Sequence, residues 1–415
     1  MIKLKNILPE NNDKNRWLHL FTTMLFLAMF AFPIFPLKVS NIILILFALL
    51  TLILYFIKPI PIGKVLLLNL VFIVPFIPYL IEFFISGFDP STRFEFEKKL
   101  FFFTAPLVIP VFMKVTGFRN YKAALLIFSL SVAAITLYSI IRLLAEGVVF
   151  NPVSYENGAY ILRNRFEIIS GLHPTYYSIF ALCAGCFLSY SSLQKRSFQV
   201  AAQVIAGVLF ISVLVLAVRI AFFVAVVFLL FWIFNKKIAI SAKITGGVIA
   251  LAVFVILIFS VPSLNMRFGE ITTWVTGRAN SGNTISQREM IVDCSFKVFS
   301  DHVWLGTGSR NFQHELDNCY SSKGWVNNNQ SFNPHNQFLS EGINYGIFFL
   351  LIFIAGLFYI FRRILTFPEA KYFMVAVLFV FLSESILERQ MGVYFFGLIS
   401  LLFYNIKSES CPMEV

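Results

Sequence analysis

The sequence predicts an all-α integral membrane protein with about twelve transmembrane helices and one large outward-facing loop that carries short helices. Three observations predict this class. Of the 415 residues, 58% are hydrophobic and only 13% charged, against roughly 25% charged in a soluble domain. The apolar residues, 51 phenylalanines among them, gather in runs of about 17–25 residues, enough to cross a hydrocarbon core of roughly 30 Å. Small clusters of Lys and Arg separate the runs, which is how membrane topology is written. Lipid offers backbone amides no partner, so each run is expected to be a helix.

The elements follow in order. The opening MIKLKNILPENNDKNRW is polar and basic for too long to be an efficient signal-peptide n-region, and no small-residue cleavage pattern follows Phe32. The first run, Leu18–Phe35, is therefore expected to be a retained helix. Runs continue at Asn41–Ile57, Val65–Ile85, Leu100–Met113, Ala123–Leu144, Leu172–Leu193, Phe198–Ala217, Ile220–Phe234 and Ile238–Val261. Three more lie at Phe338–Phe361, Tyr372–Ile386 and Val393–Ile406. Leu100–Met113 is short, and the break at Ala217–Ile220 is the slightest boundary. The chain then divides into residues 1–261 with about nine spans, a loop over 262–337, and residues 338–407 with about three spans.

An even number of spans puts both termini on one side. The loops of that side carry Lys3, Lys5, Lys14 and Arg16, then Lys58 and Lys64, then Lys114, Arg119 and Lys122, Lys195 and Arg196, Lys236 and Lys237, Arg362 and Arg363, and Lys407. The opposite short loops carry far less, apart from Arg93, Lys98 and Lys99. Positive charge in short loops marks the cytoplasmic face, so both termini are expected in the cytoplasm. Two hydrophilic segments, Glu146–Gly171 and Pro262–Gln337, then face outward. A loop this long is uncommon unless functional or disordered. The larger one mixes Trp274, Trp304, Phe312 and Trp325 with polar residues, which suggests a small folded element. The net charge of +12 is spread between apolar runs and forms no basic tract with interleaved aromatics, so nucleic acid is not an expected partner. Of five cysteines, Cys183 and Cys186 form a CxxC inside an apolar run, without the βαβ setting of a redox motif. Cys294 and Cys319 share the long loop and could pair if it faces an oxidising compartment.

Polar residues kept beside a bilayer are the default functional candidates. Arg219, in LAVRIAFF, is either an interfacial arginine snorkelling to headgroups or a guanidinium fixed to hold a phosphate bidentately. From Gln287 to Phe299 the pattern is an amphipathic helix, with Met290, Cys294 or Ile291, and Val298 on one face and Arg288 near its start. Gly306 and Gly308 in LGTGSRNF make a tight turn, with no GxxxxGK[ST] to suggest a nucleotide loop. Arg278 and Arg310 flank these features. In NPHNQFL, His335 and Asn336 stand where the loop re-enters the membrane. A histidine there is a general base, a phosphate ligand or a satisfied interfacial residue. His173 opens a run after the shorter loop, preceded by Arg163 and Arg165. In SESILERQMG, Glu384 and Glu388 are one helical turn apart and are expected to share a face, as part of a site or of a helix-end cluster with Arg389. His302 and His314 lack the spacing and acidic neighbours of a metal site.

Together these residues resemble the O-antigen ligase/polymerase superfamily of bacterial envelope glycosyltransferases. The stretch SQREMIVDCSFKVFSDHVWLGTGSRNFQHEL, leading to NPHNQFLSEGINYGIFF, is similar to that family's arginine-headed helix, its glycine turn and its HNxxL opening of the next helix. The similarity runs from Arg219 to the C-terminus and includes SESILERQMG. Val303 departs from it where proline is usual, and Val218 where serine commonly precedes the arginine. The resemblance implies transfer of a glycan from undecaprenyl diphosphate to an acceptor hydroxyl at the periplasmic face of the inner membrane. It implies no nucleotide sugar, cofactor or required metal. Lipid A-core is the acceptor in the ligase branch, a carrier-linked repeat in the polymerase branch and a protein hydroxyl in a third. By the same resemblance, Arg219 and Arg288 would neutralise the departing diphosphate, with His335 as base or phosphate ligand. Asn336, Arg310, His173, Arg163, Arg165, Glu384 and Glu388 would line the substrate site. A lipid-linked oligosaccharide transporter is the alternative from another class, but it calls for ionisable residues deep in the spans and for inverted repeats. Glu82 is the main charge of that kind.

Overall fold

The structure, a computed structural model, describes residues 15–147, 158–191, 195–235, 239–260, 265, 268–271, 275–276, 284–325 and 332–410. Lys3, Lys5, Lys14, Lys236, Lys237, Trp274 and Arg278 lie outside the described residues. Each apolar run carries helix, and there is no strand among the described residues. Contacts divide the chain into two compact units. One comprises residues 1–128, 191–196 and 290–415, the other 129–190 and 197–289.

The first unit holds α1 (Arg16–Met29), α2 (Leu37–Ile57), α3 (Gly63–Asn69), α4 (Ile77–Ile85) and α5 (Pro90–Thr116). It shares α6 (Tyr121–Ala145) with the second unit, which continues with α7 (Gly158–Ser170), α8 (Pro174–Ser189), α9 (Arg196–Val215), α10 (Arg219–Asn235) and α11 (Ile240–Ser260). The loop contributes α12 (Thr284–Asp301) and α13 (Phe312–Ser322), and the chain ends with α14 (Gln337–Ile364), α15 (Pro368–Ser383) and α16 (Gln390–Ser410).

Among the described residues, six helices are long and apolar enough to cross a membrane. The count is seven if α3 and α4, bent by 49°, form one broken span. The run Val65–Ile85 is thus not one straight helix. Pro75 lies just past the break, and its missing amide and its ring interrupt the helical ladder of the preceding turn, while Pro78 stands in the first turn of α4. The run Leu100–Met113 is instead part of the 27-residue α5. That helix is capped by Asp89, whose side chain accepts from Ser91 N at 2.9 Å, and it stops at Gly117 in the left-handed conformation (φ 66°). α8 and α10 are shorter apolar helices. The slight boundary before Ile220 is real, because Ala217 takes φ 48° and ends α9. Many large apolar side chains, from Phe21 to Leu382, face outward, far more than a water-soluble surface tolerates.

Helices in lipid gain little from the hydrophobic effect and associate through close packing and hydrogen bonds. In the first unit α5 packs on α2 and α16. Phe76 and Phe102 stack with ring centroids 4.0 Å apart, and Phe26 meets Phe112 at 4.8 Å. A Cβ on Gly397 would lie 2.3 Å from the Phe101 ring, so only glycine lets α16 approach α5 this closely. In the second unit Tyr177 of α8 bridges Thr136 of α6 and Ser212 of α9, at 2.7 Å each.

The loop helices belong to the expected amphipathic design. Ile291, Cys294 and Val298 of α12 are buried with Leu316, Cys319 and Tyr320 of α13 against Leu339 and Ile343 of α14. Cys294 and Cys319 form a disulfide. Closing a loop of 25 residues removes on the order of 3 kcal/mol of unfolded-state entropy.

The glycine turn locks onto a break in α14. Gly346 has φ 78° and ψ −177° inside that helix, which releases carbonyls that would otherwise bond within it. Thr307 N donates to Ile343 O at 2.8 Å and Gly308 N to Asn344 O at 2.9 Å, while the displaced Ile347 N donates to Val303 O at 2.7 Å. Gly306 and Gly308 are both left-handed, and a Cβ on Gly306 would lie 2.3 Å from Asn344 O. Gly324 is equally left-handed but faces open space. Gly324→Ala is therefore expected to cost about 1–2 kcal/mol, and Gly306→Ala clearly more. Thermal unfolding of both variants in one detergent, with Gly306→Ala melting several degrees below Gly324→Ala, checks this.

Candidate active site

The loop returns to the membrane through His335 and Asn336. Asn336 caps α14, its Oδ1 accepting from Leu339 N at 3.0 Å, and its Nδ2 donates to Leu382 O at 3.2 Å. His335 is left-handed (φ 47°), at a cost of about 1–2 kcal/mol for a residue with a Cβ. Its amide donates to Asn333 Oδ1 at 3.1 Å. The imidazole Nδ1 lies 2.7 Å from Glu384 Oε2. The histidine side chain keeps 28% of its surface and the carboxylate 7%, so the ring is reachable while its partner is sheltered. A carboxylate at Nδ1 favours the proton there and leaves the lone pair on Nε2.

Glu384 and Glu388 do not share a helical face. α15 ends at Ser383, Glu384 is extended (φ −153°, ψ 146°), and only Ile386–Glu388 form a short 3-10 turn. The two carboxylates diverge, Glu384 to His335 and Glu388 to Lys99 at 3.2 Å. Lys99 is completely buried and also donates to Leu387 O, with the Tyr79 ring 5.1 Å away. Burial alone would raise the Glu388 carboxyl, but the ammonium groups of Lys99 and Lys98 hold it below its ordinary value, so it is ionised at neutral pH. The neighbouring buried Glu341 accepts from Gln337 Nε2 at 2.9 Å and Tyr79 OH at 3.2 Å. Gln337 Oε1 in turn accepts from Leu387 N at 2.8 Å.

Glu82 is likewise committed. Its carboxylate accepts from Ser309 N at 3.0 Å, Arg310 N at 3.2 Å and Tyr345 OH at 2.7 Å. It thereby tethers the glycine turn to α4, and the Arg310 side chain stays exposed.

In the second unit Arg219 is half-buried at the start of α10, just after the left-handed Ala217, and its Nη2 donates to Glu270 Oε2 at 2.7 Å. Arg288 is exposed near the start of α12. His173 caps α8, its Nδ1 accepting from Thr175 N at 3.4 Å. Arg163 is half-buried on α7, and the exposed Arg165 lies 3.5 Å from Glu146. His335, Asn336, Glu384, Glu388 and the Arg310 backbone thus belong to one polar region of the first unit. Arg219, Arg288, His173, Arg163 and Arg165 belong to the second.

Residues 204–354 match the family model described as O-antigen ligase. This match supports the O-antigen ligase/polymerase superfamily. No curated protein matches the chain. Arg219, Arg288, Arg310, His335 and Asn336 fall inside the O-antigen ligase match, and Glu384 and Glu388 beyond it. With its apolar helices, the match supports a multi-pass membrane enzyme of the ligase/polymerase type.

Sequence reasoning missed Glu270, Gln337, Glu341 and the role of Lys99. A signal existed for Lys99, which breaks the loop-charge pattern, and for Glu341, an acid inside an apolar run. Glu270 carried none, because its partner is 51 positions away. Glu82→Leu removes the acceptor of the part-buried Ser309 amide and Tyr345 hydroxyl, while the Arg310 amide is exposed; a buried polar group left without a partner costs about 1–3 kcal/mol. Its melting temperature in detergent is expected to fall. Tyr345→Phe added to Glu82→Leu is expected to lower it no further.

Proposed function

We propose that this protein is a ligase-type glycosyltransferase. It moves a glycan from undecaprenyl diphosphate to lipid A-core at the periplasmic face of the inner membrane, with both termini in the cytoplasm. The observation that carries the reading is the His335–Glu384 pair, 2.7 Å apart on a left-handed histidine at the head of α14. A conformation that costs energy persists where the surroundings impose it, and such residues cluster at functional sites. In this reading Nε2 of His335 takes the proton of the acceptor hydroxyl while the hydroxyl oxygen bonds to the anomeric carbon. The bond from that carbon to the diphosphate oxygen breaks, and the carrier diphosphate leaves with the electron pair. Glu384 stabilises the imidazolium so formed. Arg219 and Arg288 are assigned to the growing negative charge of the diphosphate, which fixed cations stabilise in the transition state.

One observation favours this over a transporter: the ionisable side chains of Glu82, Lys99 and Glu341, within α4, α5 and α14, are committed to protein partners. Glu82 is bonded to two amides and a tyrosine, Lys99 to Leu387 O and Glu388, and Glu341 to Gln337 and Tyr79, structural roles rather than a transported-ion site. The Cys294–Cys319 disulfide supports an oxidising compartment for the loop, in keeping with the periplasmic face in this reading.

Purified protein supplied with carrier-linked glycan and lipid A-core is expected to transfer glycan without ATP or nucleotide sugar. His335→Ala and Arg288→Ala are expected to abolish transfer with insertion intact, and near-parental activity in either removes that residue from the site. Arg219→Lys is expected to transfer poorly, since an ammonium does not reproduce a bidentate guanidinium contact. A deletion strain is expected to accumulate carrier-linked polymer with unmodified lipid A-core, whereas single repeats on the core would mark a polymerase. In intact cells, membrane-impermeant thiol reagent is expected to reach cysteines placed at Thr307 and Ser309. Labelling only after permeabilisation would reverse the orientation.

A further inference from the structure

The connection from α15 to α16 holds only the short 3-10 turn Ile386–Glu388 and lies in the interior of the first unit. Glu384, Ser385, Ile386 and Leu387 are all buried. Its polar groups need partners there, because buried unsatisfied amides and carbonyls are costly. Two anchors come from α14: Gln337 Oε1 accepts from Leu387 N at 2.8 Å, and Ser340 Oγ meets Ser385 Oγ at 2.6 Å. The third comes from α5. Lys99, with no surface left exposed, donates to Leu387 O and pairs with Glu388 at 3.2 Å. Gly392 closes the far end, since a Cβ there would lie 2.1 Å from Ile386 O.

A buried ammonium is expensive unless it is matched, and an ionisable side chain in a membrane helix is by default a functional candidate with a named partner. Lys99 spends its bonds on the backbone and side chain of the segment whose first residue, Glu384, holds His335. From this juxtaposition we infer that Lys99 is a positioning residue for the His335–Glu384 pair, acting through the Ser385–Glu388 segment rather than on substrate. The inference rests on the proposed role of that pair as the transfer base.

The test is a double-mutant cycle with Lys99→Met and Glu384→Gln in the transfer assay, each normalised to folded protein. Displacing a supporting residue so that the reacting groups shift by about 1 Å costs roughly 10²-fold in rate. Lys99→Met is expected to lower kcat by about that factor with donor KM unchanged, and to have almost no further effect in the Glu384→Gln background. An equal loss in both backgrounds overturns the inference and leaves the histidine reading standing. Glu384→Gln with parental kcat overturns the reading itself, and the inference with it. If Lys99→Met fails to accumulate, Lys99→Met/Glu388→Gln removes cation and carboxylate together, and the same comparison with and without Glu384→Gln decides the matter.

Discussion

A polar backbone that leaves the helix inside a bundle of apolar helices has no water to turn to, and this constraint organises the first unit. Two departures from helical geometry there are the α14 break at Gly346 and the segment from Glu384 to Glu388. Each is satisfied by a neighbouring element. The carbonyls released at Ile343 and Asn344 accept from the glycine turn, and Gln337 and Lys99 satisfy Leu387. His335 stands at the head of α14, its amide on Asn333 Oδ1 and its imidazole on Glu384, the first residue of the buried segment. The candidate base thus leans on a stretch whose own backbone is fixed by Gln337 and Lys99.

The same logic changes the meaning of some charges. Lys99 stands among the cations that fit poorly with loop-charge topology, yet it is buried and bonded to Leu387 and Glu388. It is an interior strut and carries no topological information. Glu82, a charge within an apolar run, is an acceptor for Ser309, Arg310 and Tyr345. In the second unit Glu270 engages Arg219, so a diphosphate arriving at that arginine would compete with a carboxylate already present.

Much of the fold was legible because lipid enforces it locally. Apolar runs had to be helices, and the spacing of Met290, Cys294 or Ile291, and Val298 marked the face that α12 buries. His335 and Asn336 stood out too, as polar residues directly before an apolar run. What escaped were features set by partners far along the chain. Lys99 and Leu387 are 288 positions apart, Tyr79 and Glu341 262, and no periodicity reports such pairs. The even spacing of Glu384 and Glu388 misled because it presumed helix through SESILERQ. Gly392 and the buried bonds of Ser385 and Leu387 bend the chain there instead. The bend in Val65–Ile85 was written in Pro75, a residue that hydropathy does not weigh.

The break at Gly346 divides α14 into two parts with different neighbours. On one side, Gln337–Tyr345 are cross-braced to the glycine turn, Tyr79 and the α15–α16 connection. On the other, Phe353, Leu357, Ile360 and Ile364 are buried among apolar helices, and Gly356 lets Pro75 come close. The two parts meet at a pinned splice: Ile347 N, just past the break, is held by Val303 O, so the bracket around the imidazole is clamped from both directions along one helix.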